Sequence, residues 1–357
     1  NYYLPVRILD GLGHETAISY DPIWKKYPLA VTVGFLTPIS QTTTYEYNTS
    51  LEQLQKVTGP NGASTATSYE YDYWGRLTKV IRPGDSSTYP TVQYDYCDTC
   101  SPTRITTTGR VTSGSSTDIP VLRYYDGLGR LIQENRGTSD DSQMTVANTT
   151  YNAQGQVEHA YLPYATSYSA SYVSLDTSKP KTTYAYDALG RVTQVTNPDS
   201  TTVKTAYDGF KKAVLDENGH QKTYRHDPFG RLVEVKEHSG TYANPSWGAT
   251  VYATTSYGYN HLDLLTGVTD AAANQTAISY DPMGRKVQMV DPDLGTWYYA
   301  YDDASNLKRQ TDARGQTTCF CYDALNRLTG KHYRADSNCP ADPLSGRHLH
   351  LRCDLGW

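Results

Sequence analysis

The sequence predicts an all-β fold, a solenoid of stacked β-hairpins, and three observations predict it. The first is composition: the chain has 33 Tyr but only 4 Phe in 357 residues. The second is a recurring phrase, Tyr-Asp-x-x-Gly-Arg. It reads YDYWGRL from Tyr71, YDGLGRL from Tyr125, YDALGRV from Tyr186, HDPFGRL from His226 and YDPMGRK from Tyr280, with weaker copies from Tyr151, Tyr301 and Tyr322. The third is the period: Tyr259, Tyr280, Tyr301 and Tyr322 follow one another at 21 residues. A fixed period of this length is the mark of a repeat architecture.

Each part of the unit has a local reason. Asp-x-x-Gly places Asp at the first and Gly at the fourth position of a type I turn, where the carboxylate accepts a backbone N–H and Gly takes the left-handed exit. Pro22, Pro228 and Pro282 stand second, where a fixed φ suits the turn. A second turn signal lies halfway along, as in DGLG at Asp10, DENG at Asp216 and DARG at Asp312. Two segments of about six residues remain, a normal strand length. They alternate with period two: Trp297, Tyr299 and Tyr301 share one face, and so do Tyr69, Tyr71 and Tyr73. Tyr suits such a wall because its ring packs while its hydroxyl reaches a polar partner, so the rings are expected to form ladders across neighbouring hairpins. The Arg after Gly is expected to lie over a neighbouring ring or to pair with a turn Asp.

The residues singled out are therefore structural. They are Tyr71, Asp72, Gly75 and Arg76; Tyr125, Asp126, Gly129 and Arg130; and Tyr186, Asp187, Gly190 and Arg191. They continue with Asp227, Gly230 and Arg231; Tyr280, Asp281, Gly284 and Arg285; then Tyr301 with Asp302, and Tyr322 with Asp323. No catalytic, cofactor-binding or metal-ligating set is expected.

Upstream the period stretches, to 54 residues between Tyr71 and Tyr125 and 35 between Tyr151 and Tyr186. The extra residues are rich in Ser, Thr, Gly, Pro and Asp and read as surface loops. Repeats are thus assigned to residues 1–335, with loop insertions near 82–121, 134–150, 161–181 and 237–256 and no convincing domain boundary. Residues 336–357 read as an irregular tail. Its RHLHLRCD can be encoded so that the next frame gives VTYTYD, the strand that is due there, so it reads as a frameshifted repeat. On that reading His348 and His350 are no metal pair.

Net charge is −5 with no basic patch, which argues against nucleic acid as a partner. Mean hydropathy is −0.62 and no apolar run approaches the ~18 residues of a membrane span. The six Cys include CDTC at Cys97 and Cys100, read as an incidental or disulfide pair ahead of half a zinc site, since no second CxxC completes one. Cys319 and Cys321 lie on one face of a strand, so a bond between those two is not expected. The chain opens inside a repeat and reads as the middle of something longer.

With these motifs in hand, the unit resembles that of the RHS, or YD-repeat, family, as found in bacterial proteins related to the B and C components of Tc toxins and, more distantly, in teneurins. The resemblance covers nearly the whole chain. It implies a secreted or cell-surface bacterial protein whose repeats wind into a hollow shell. Such a shell encloses a C-terminal toxin or effector segment and works with other toxin-complex subunits. The aspartyl autoprotease of that family is not carried over: no DPIGLxGG-type ending is present, and DPLSGR at Asp342 is only a superficial echo.

The functional expectation is a non-enzymatic shell segment. The alternative from another class is a surface adhesin whose aromatic repeats stack on carbohydrate, although such repeats lean on Trp and Gly and this chain has 5 Trp. An enzyme is disfavoured by the lack of GxSxG, HExxH, P-loop or paired CxxC motifs. A β-propeller is disfavoured by the uneven upstream spacing. Open strand edges predict that the isolated chain self-associates.

Overall fold

The computed structural model describes residues 4–334 and 339, apart from 12, 114–117, 139–141 and 324. The tail, with Asp342, His348 and His350, lies outside the described residues. Twenty-eight β-strands and one 3₁₀ turn at Gly62–Thr65 make up the regular structure, with no α-helix among the described residues. Among the described residues the strand pairings are antiparallel and mostly join consecutive strands, as stacked hairpins require; Gln143–Tyr151 also pairs with Tyr164–Ser167, and Val157–Tyr161 with Lys181–Tyr186. The all-β expectation holds.

Two compact units are present. One comprises the described residues of Asn1–Ile18, Thr32–Gln41 and Ala206–Trp357, the other Ser19–Val31 and Thr42–Thr205. The sequence shows no boundary between them, and the structure explains why. The division at Thr205 falls inside the strand Thr202–Asp208, so no linker or change of composition marks it.

The last of the three segments of the first unit shows the repeat most plainly. Gln275–Tyr280, Lys286–Asp291, Gly295–Tyr301, Leu307–Thr311 and Thr317–Tyr322 follow in register, each antiparallel to the next. The turns joining them are the two Asp-x-x-Gly signals. In the turn at Asp312, the N–H of Gly315 donates to the Asp312 carbonyl at 3.0 Å, and Gly315 has φ +78°. The Tyr-Asp turn adds a feature that the sequence reading missed. Tyr280 pairs with Lys286 while Ser279 pairs with Gln288, so one residue of the return strand is bulged. The same register shift recurs at Tyr71, Tyr125, Tyr151, Tyr186, Tyr259, Tyr301 and Tyr322. A type I turn followed by a left-handed residue and a bulge is a favoured way to close a hairpin without splaying its strands.

Where the fourth turn residue is not Gly, the backbone still adopts positive φ, as at Ala273 (φ 64°) in the turn begun by Asp270. A Cβ in that region costs about 1–2 kcal/mol. Ala273→Gly is therefore expected to stabilise the chain by about 1 kcal/mol, part of the relief being offset by backbone entropy. Urea titration measures it.

The expected loop insertions need correction. The stretch 82–121 contains the strands Val92–Cys97 and Thr103–Arg110 and the start of Asp118–Tyr125. The stretch 134–150 lies largely within Leu131–Gly137 and Gln143–Tyr151. Thr-rich runs such as RITTTG are β-formers as much as loop formers. The 54-residue gap after Tyr71 thus hides a whole hairpin. The other two insertions do contain irregular chain, around 168–180 and 239–250.

These irregular segments lie where the buried residues concentrate. Leu122, Tyr124, Met144, Val146 and Tyr161 are buried beside the first, and Ala213, Leu215 and Ala249 beside the second. Elsewhere the strand residues are mostly half-buried. A sheet face with nothing packed on it cannot bury its side chains, whichever way they alternate.

Candidate functional site

The repeated phrase assembles a clasp that joins each hairpin to the next. In the hairpin of Asp281, one carboxylate oxygen accepts the N–H groups of Met283 (3.0 Å) and Arg285 (2.9 Å), and the other accepts Nε of Arg285 at 2.7 Å. This fixes the guanidinium flat against the turn. Its Nη1 then donates to the Asp302 carbonyl of the next hairpin at 3.0 Å, and its centre lies 4.9 Å from the ring centroid of Tyr301. Tyr301 closes the clasp: its hydroxyl donates back to the Lys286 carbonyl at 3.0 Å.

The other copies repeat the arrangement. Arg76, Arg130, Arg191 and Arg231 each donate Nε to the turn Asp, namely Asp72, Asp126, Asp187 and Asp227, at 2.7–2.8 Å. Arg76 lies over Tyr96 at 4.2 Å, Arg130 over Tyr151 at 4.5 Å and Arg231 over Tyr259 at 5.1 Å. Gly75, Gly129, Gly190, Gly230 and Gly284 all have φ between 76° and 82°. The hydroxyls of Tyr71, Tyr186, Tyr280 and Tyr322 donate to the carbonyls of Leu54, Val157, Leu265 and Leu307 in the preceding hairpin. The copy at Asp302 has Asn306 in place of Arg, and that amide donates to the Asp302 carboxylate at 2.9 Å and to the Asn326 side chain at 3.0 Å. Asp323 pairs with Arg327 at 2.7 Å. Both alternatives for the Arg thus operate at once, over a ring and on the turn Asp.

The expected Tyr–Tyr ladder takes a different form. Equivalent positions on stacked hairpins lie two strand spacings apart, about 9.6 Å, too far for ring to touch ring. An Arg guanidinium occupies the interval before Tyr96, Tyr151, Tyr259 and Tyr301, whereas Leu264 and Asn306 stand in the Arg position ahead of Tyr280 and Tyr322. Tyr301→Phe removes only the hydroxyl of one clasp. It is expected to cost about 1 kcal/mol, the net worth of one hydrogen bond, in chemical denaturation.

The hidden hairpin uses the same clasp with other parts. Tyr96 takes the Tyr position, its hydroxyl donating to the Leu77 carbonyl at 2.9 Å. Its turn is closed by a disulfide between Cys97 and Cys100, and Asp98 between them accepts Arg76 Nη1 at 2.9 Å. The CDTC pair is a disulfide, not half a metal site. Cys319 bonds to Cys339 rather than to Cys321, as the strand geometry requires.

Electrostatics follow from the clasp. The Arg130 side chain, with the Arg130 and Leu128 N–H groups, holds the Asp126 carboxyl below its ordinary range. The Arg191 N–H and guanidinium do the same for Asp187. For Asp72, Asp227 and Asp281 partial desolvation pushes upward but is outweighed by the Arg and turn N–H contacts. At Asp21, desolvation is likewise outweighed by the N–H groups of Tyr27, Lys26, Trp24 and Lys25, which hold it at about 2. These carboxylates are fixed acceptors rather than poised acids. A folded pKa below the unfolded value of ~3.9 gives stability that is present above pH ~4 and lost as pH falls toward 2. Thermal melts followed by circular dichroism should therefore be flat from pH 7 to 5 and drop steeply below pH 4.

Two buried glutamines were missed by sequence reasoning, because a single Gln in a strand has no pattern. Gln133 holds the segment that crosses its sheet face: its amide oxygen accepts the Val173 N–H at 2.9 Å and its Nε2 donates to the Val173 carbonyl at 2.7 Å. Gln221 does the same to Ser246, at 2.7 Å for both bonds. Near Gln221 lies a groove of about 400 Å³ lined by Val214, Asp216, His220, Gln221, Lys222, Tyr224, Glu237, His238 and Tyr252. Its charges are already spent, with Lys222 2.6 Å from Glu237. Among the described residues no group of three or more His, Cys, Asp or Glu is placed to hold a metal ion, and no helix is long and apolar enough to cross a membrane.

Comparison with known proteins agrees with this geometry. The model of the RHS repeat matches residues 50–87, 259–296 and 301–337, and a domain of unknown function (DUF6443) matches 98–261. No curated protein sequence matches significantly. Among solved structures the chain is similar to the TcdB2-TccC3 complex, with 15% identity over 90% of this chain and 19% of that one, at a TM-score of 0.71. It is also similar to that complex without its hypervariable C-terminal region (14% identity, 90% of this chain, 21% of that one, TM-score 0.71). A third match is the Tc holotoxin pore of Photorhabdus luminescens (14% identity, 95% of this chain, 22% of that one, TM-score 0.73). The chain therefore spans about a fifth of the length of the structures it matches and shares their fold. With its turns, period and clasp all in place, the chain carries RHS, or YD, repeats over residues 50–87, 259–296 and 301–337.

Proposed function

We propose that this chain is a non-enzymatic segment of a shell wall, and that the full polypeptide uses the shell to enclose a C-terminal toxin or effector. The observation that carries this is the clasp. The residues that recur most often are consumed in joining one hairpin to the next, which makes a stiff, extensible sheet and engages the turn carboxylates Asp72, Asp126, Asp187, Asp227 and Asp281 as fixed acceptors. One fold relative is a complex described with and without a hypervariable C-terminal region, which fits a constant wall around a variable cargo. Partners would be that enclosed segment and the other subunits of a toxin complex. The disulfides Cys97–Cys100 and Cys319–Cys339 fit a bacterial protein exported to an oxidising compartment, secreted or at the cell surface.

Limited proteolysis of the full-length polypeptide tests this. The segment C-terminal to the repeats should resist protease while the repeats are folded and be digested once they are denatured. Equal digestion in both states would overturn the proposal. The adhesin alternative draws on exposed rings such as the edge-to-face pair Tyr73 and Trp74, 5.3 Å apart. Clear saturable binding on a glycan array would favour it over the shell.

A further inference from the structure

One joint between hairpins is built from parts that redox chemistry can undo. In the order of the repeated phrase, Cys97 stands where the other turns carry Asp, Cys100 where they carry Gly and Ser101 where they carry Arg. The covalent bond thus ties the same two turn positions that elsewhere meet through the Asp carbonyl and the Gly N–H, as Asp72 and Gly75 do at 3.0 Å. If the bond is cut, this turn has neither the first-position carboxylate that gathers backbone N–H groups nor the Gly that eases the exit.

What the bond holds in place is Asp98. Both oxygens of its carboxylate accept Arg76 Nη1, at 2.9 and 3.0 Å. This contact matters because the ladder between Leu77–Ile81 and Val92–Cys97 is short: it pairs Lys79 with Gln93 and Val80 with Val92. The Asp98 side chain is 67% exposed, Thr99 is exposed and the two cysteines are half-buried, so the bond lies at the surface. The Cys319–Cys339 bond differs, because Cys319 is 1% exposed and the two residues are 20 apart in sequence. Accessible bridges are the labile ones in thiol exchange, and a loop as short as that from Cys97 to Cys100 adds little chain entropy to resist opening.

We propose that Cys97–Cys100 is a site of thiol–disulfide exchange with dithiol reductants, and that its reduction loosens the joint between the hairpins of Tyr71 and Tyr96. A thiolate of the dithiol attacks one cysteine sulfur; the S–S bond breaks, and the other cysteine leaves as a thiolate that takes up the proton the reagent gave up. The second thiol of the reagent, losing its own proton, then displaces the bound cysteine, which is protonated in turn, and closes the reagent's own disulfide. The dithiol is oxidised, the bridge is reduced to two thiols, and nothing else is consumed. With the turn released, Asp98 leaves Arg76, which keeps its bond to Asp72 at 2.7 Å within its own hairpin. Clasps made of Asp, Gly and Arg have no such response. The inference goes beyond the wall role and does not depend on what the wall encloses.

Dithiothreitol is the probe. The whole native chain is treated with it at neutral pH, quenched by alkylation and mapped by mass spectrometry of its peptides. Cys97 and Cys100 should be alkylated at least about tenfold faster than Cys319 and Cys339. Hydrogen exchange over the same course should quicken at least about tenfold in Leu77–Ile81 and Val92–Cys97 and stay unchanged in Lys286–Asp291 and Gly295–Tyr301. Asp98→Ala keeps the bridge and should quicken exchange in the same two strands without reductant. Equal alkylation of the two bridges overturns the site. Reduction of Cys97–Cys100 that leaves exchange in Leu77–Ile81 unchanged, or an Asp98→Ala chain that exchanges like the wild type, overturns the coupling to the joint.

Discussion

Gln133→Leu is expected to destabilise the second unit by about 3 kcal/mol and to expose the chain around residues 168–176 to protease. Gln133 is almost fully buried, and its side chain is the partner of three groups: the Val173 N–H, the Val173 carbonyl and, at 2.7 Å, Asn148 Oδ1. Leucine fits the space but satisfies none of them, and each buried polar group left without a partner costs about 1–3 kcal/mol. The segment it holds makes other contacts, since the Ala170 carbonyl accepts from the Tyr124 hydroxyl and from Arg104, and Tyr172 packs edge-on against Tyr124. The expected result is therefore local release rather than global collapse. Limited proteolysis with urea titration checks both halves, and Gln221→Leu should free residues 239–250 in the same way. If cleavage around 168–176 is no faster in the variant, the glutamine is not what holds the segment down.

The contrast between clasp and clamp marks what was legible in the sequence. The clasp was legible because its parts are local: Asp and Gly three apart dictate a turn, and Arg beside Gly falls within reach of that Asp. Its periodic recurrence told the eye that the same geometry returns. Tyr96 was not legible as a member of the row. Its turn substitutes a disulfide for Asp-x-x-Gly-Arg, so the phrase vanished while the backbone role remained. The clamps were illegible for a different reason. Gln133 meets Val173 across 40 residues, and nothing in LIQENRG signals a side chain aimed at a distant backbone. The Tyr ladder went wrong on a distance: the residues were rightly placed in a row, but two strand spacings separate them, and a flat cation fills that interval where the turn carries Arg.

Met144→Ala should cost about 3 kcal/mol and should do so locally. Met144 is 1% exposed and lies beside Val146 and Leu122 on the covered face, with the Ser169 N–H directed at its sulfur at 3.4 Å. Truncating a fully buried Met forfeits both transfer energy and packing, since the surrounding sheet relaxes only in part. Val195→Ala, on a half-buried face of the strand Val192–Thr196, should cost no more than about 1 kcal/mol, because much of that methyl surface already meets water. In a stack whose members are joined by nearest-neighbour clasps, stability is close to a sum of local terms. Hydrogen exchange in the Met144→Ala variant should then show lost protection in Asp118–Tyr125, Leu131–Gly137 and Gln143–Tyr151. Protection in Gln275–Tyr280, Lys286–Asp291 and Gly295–Tyr301 should be unchanged. Uniform loss across both sets would mean that the hairpins unfold as one body, and the clasp would then be a register device rather than the unit of stability.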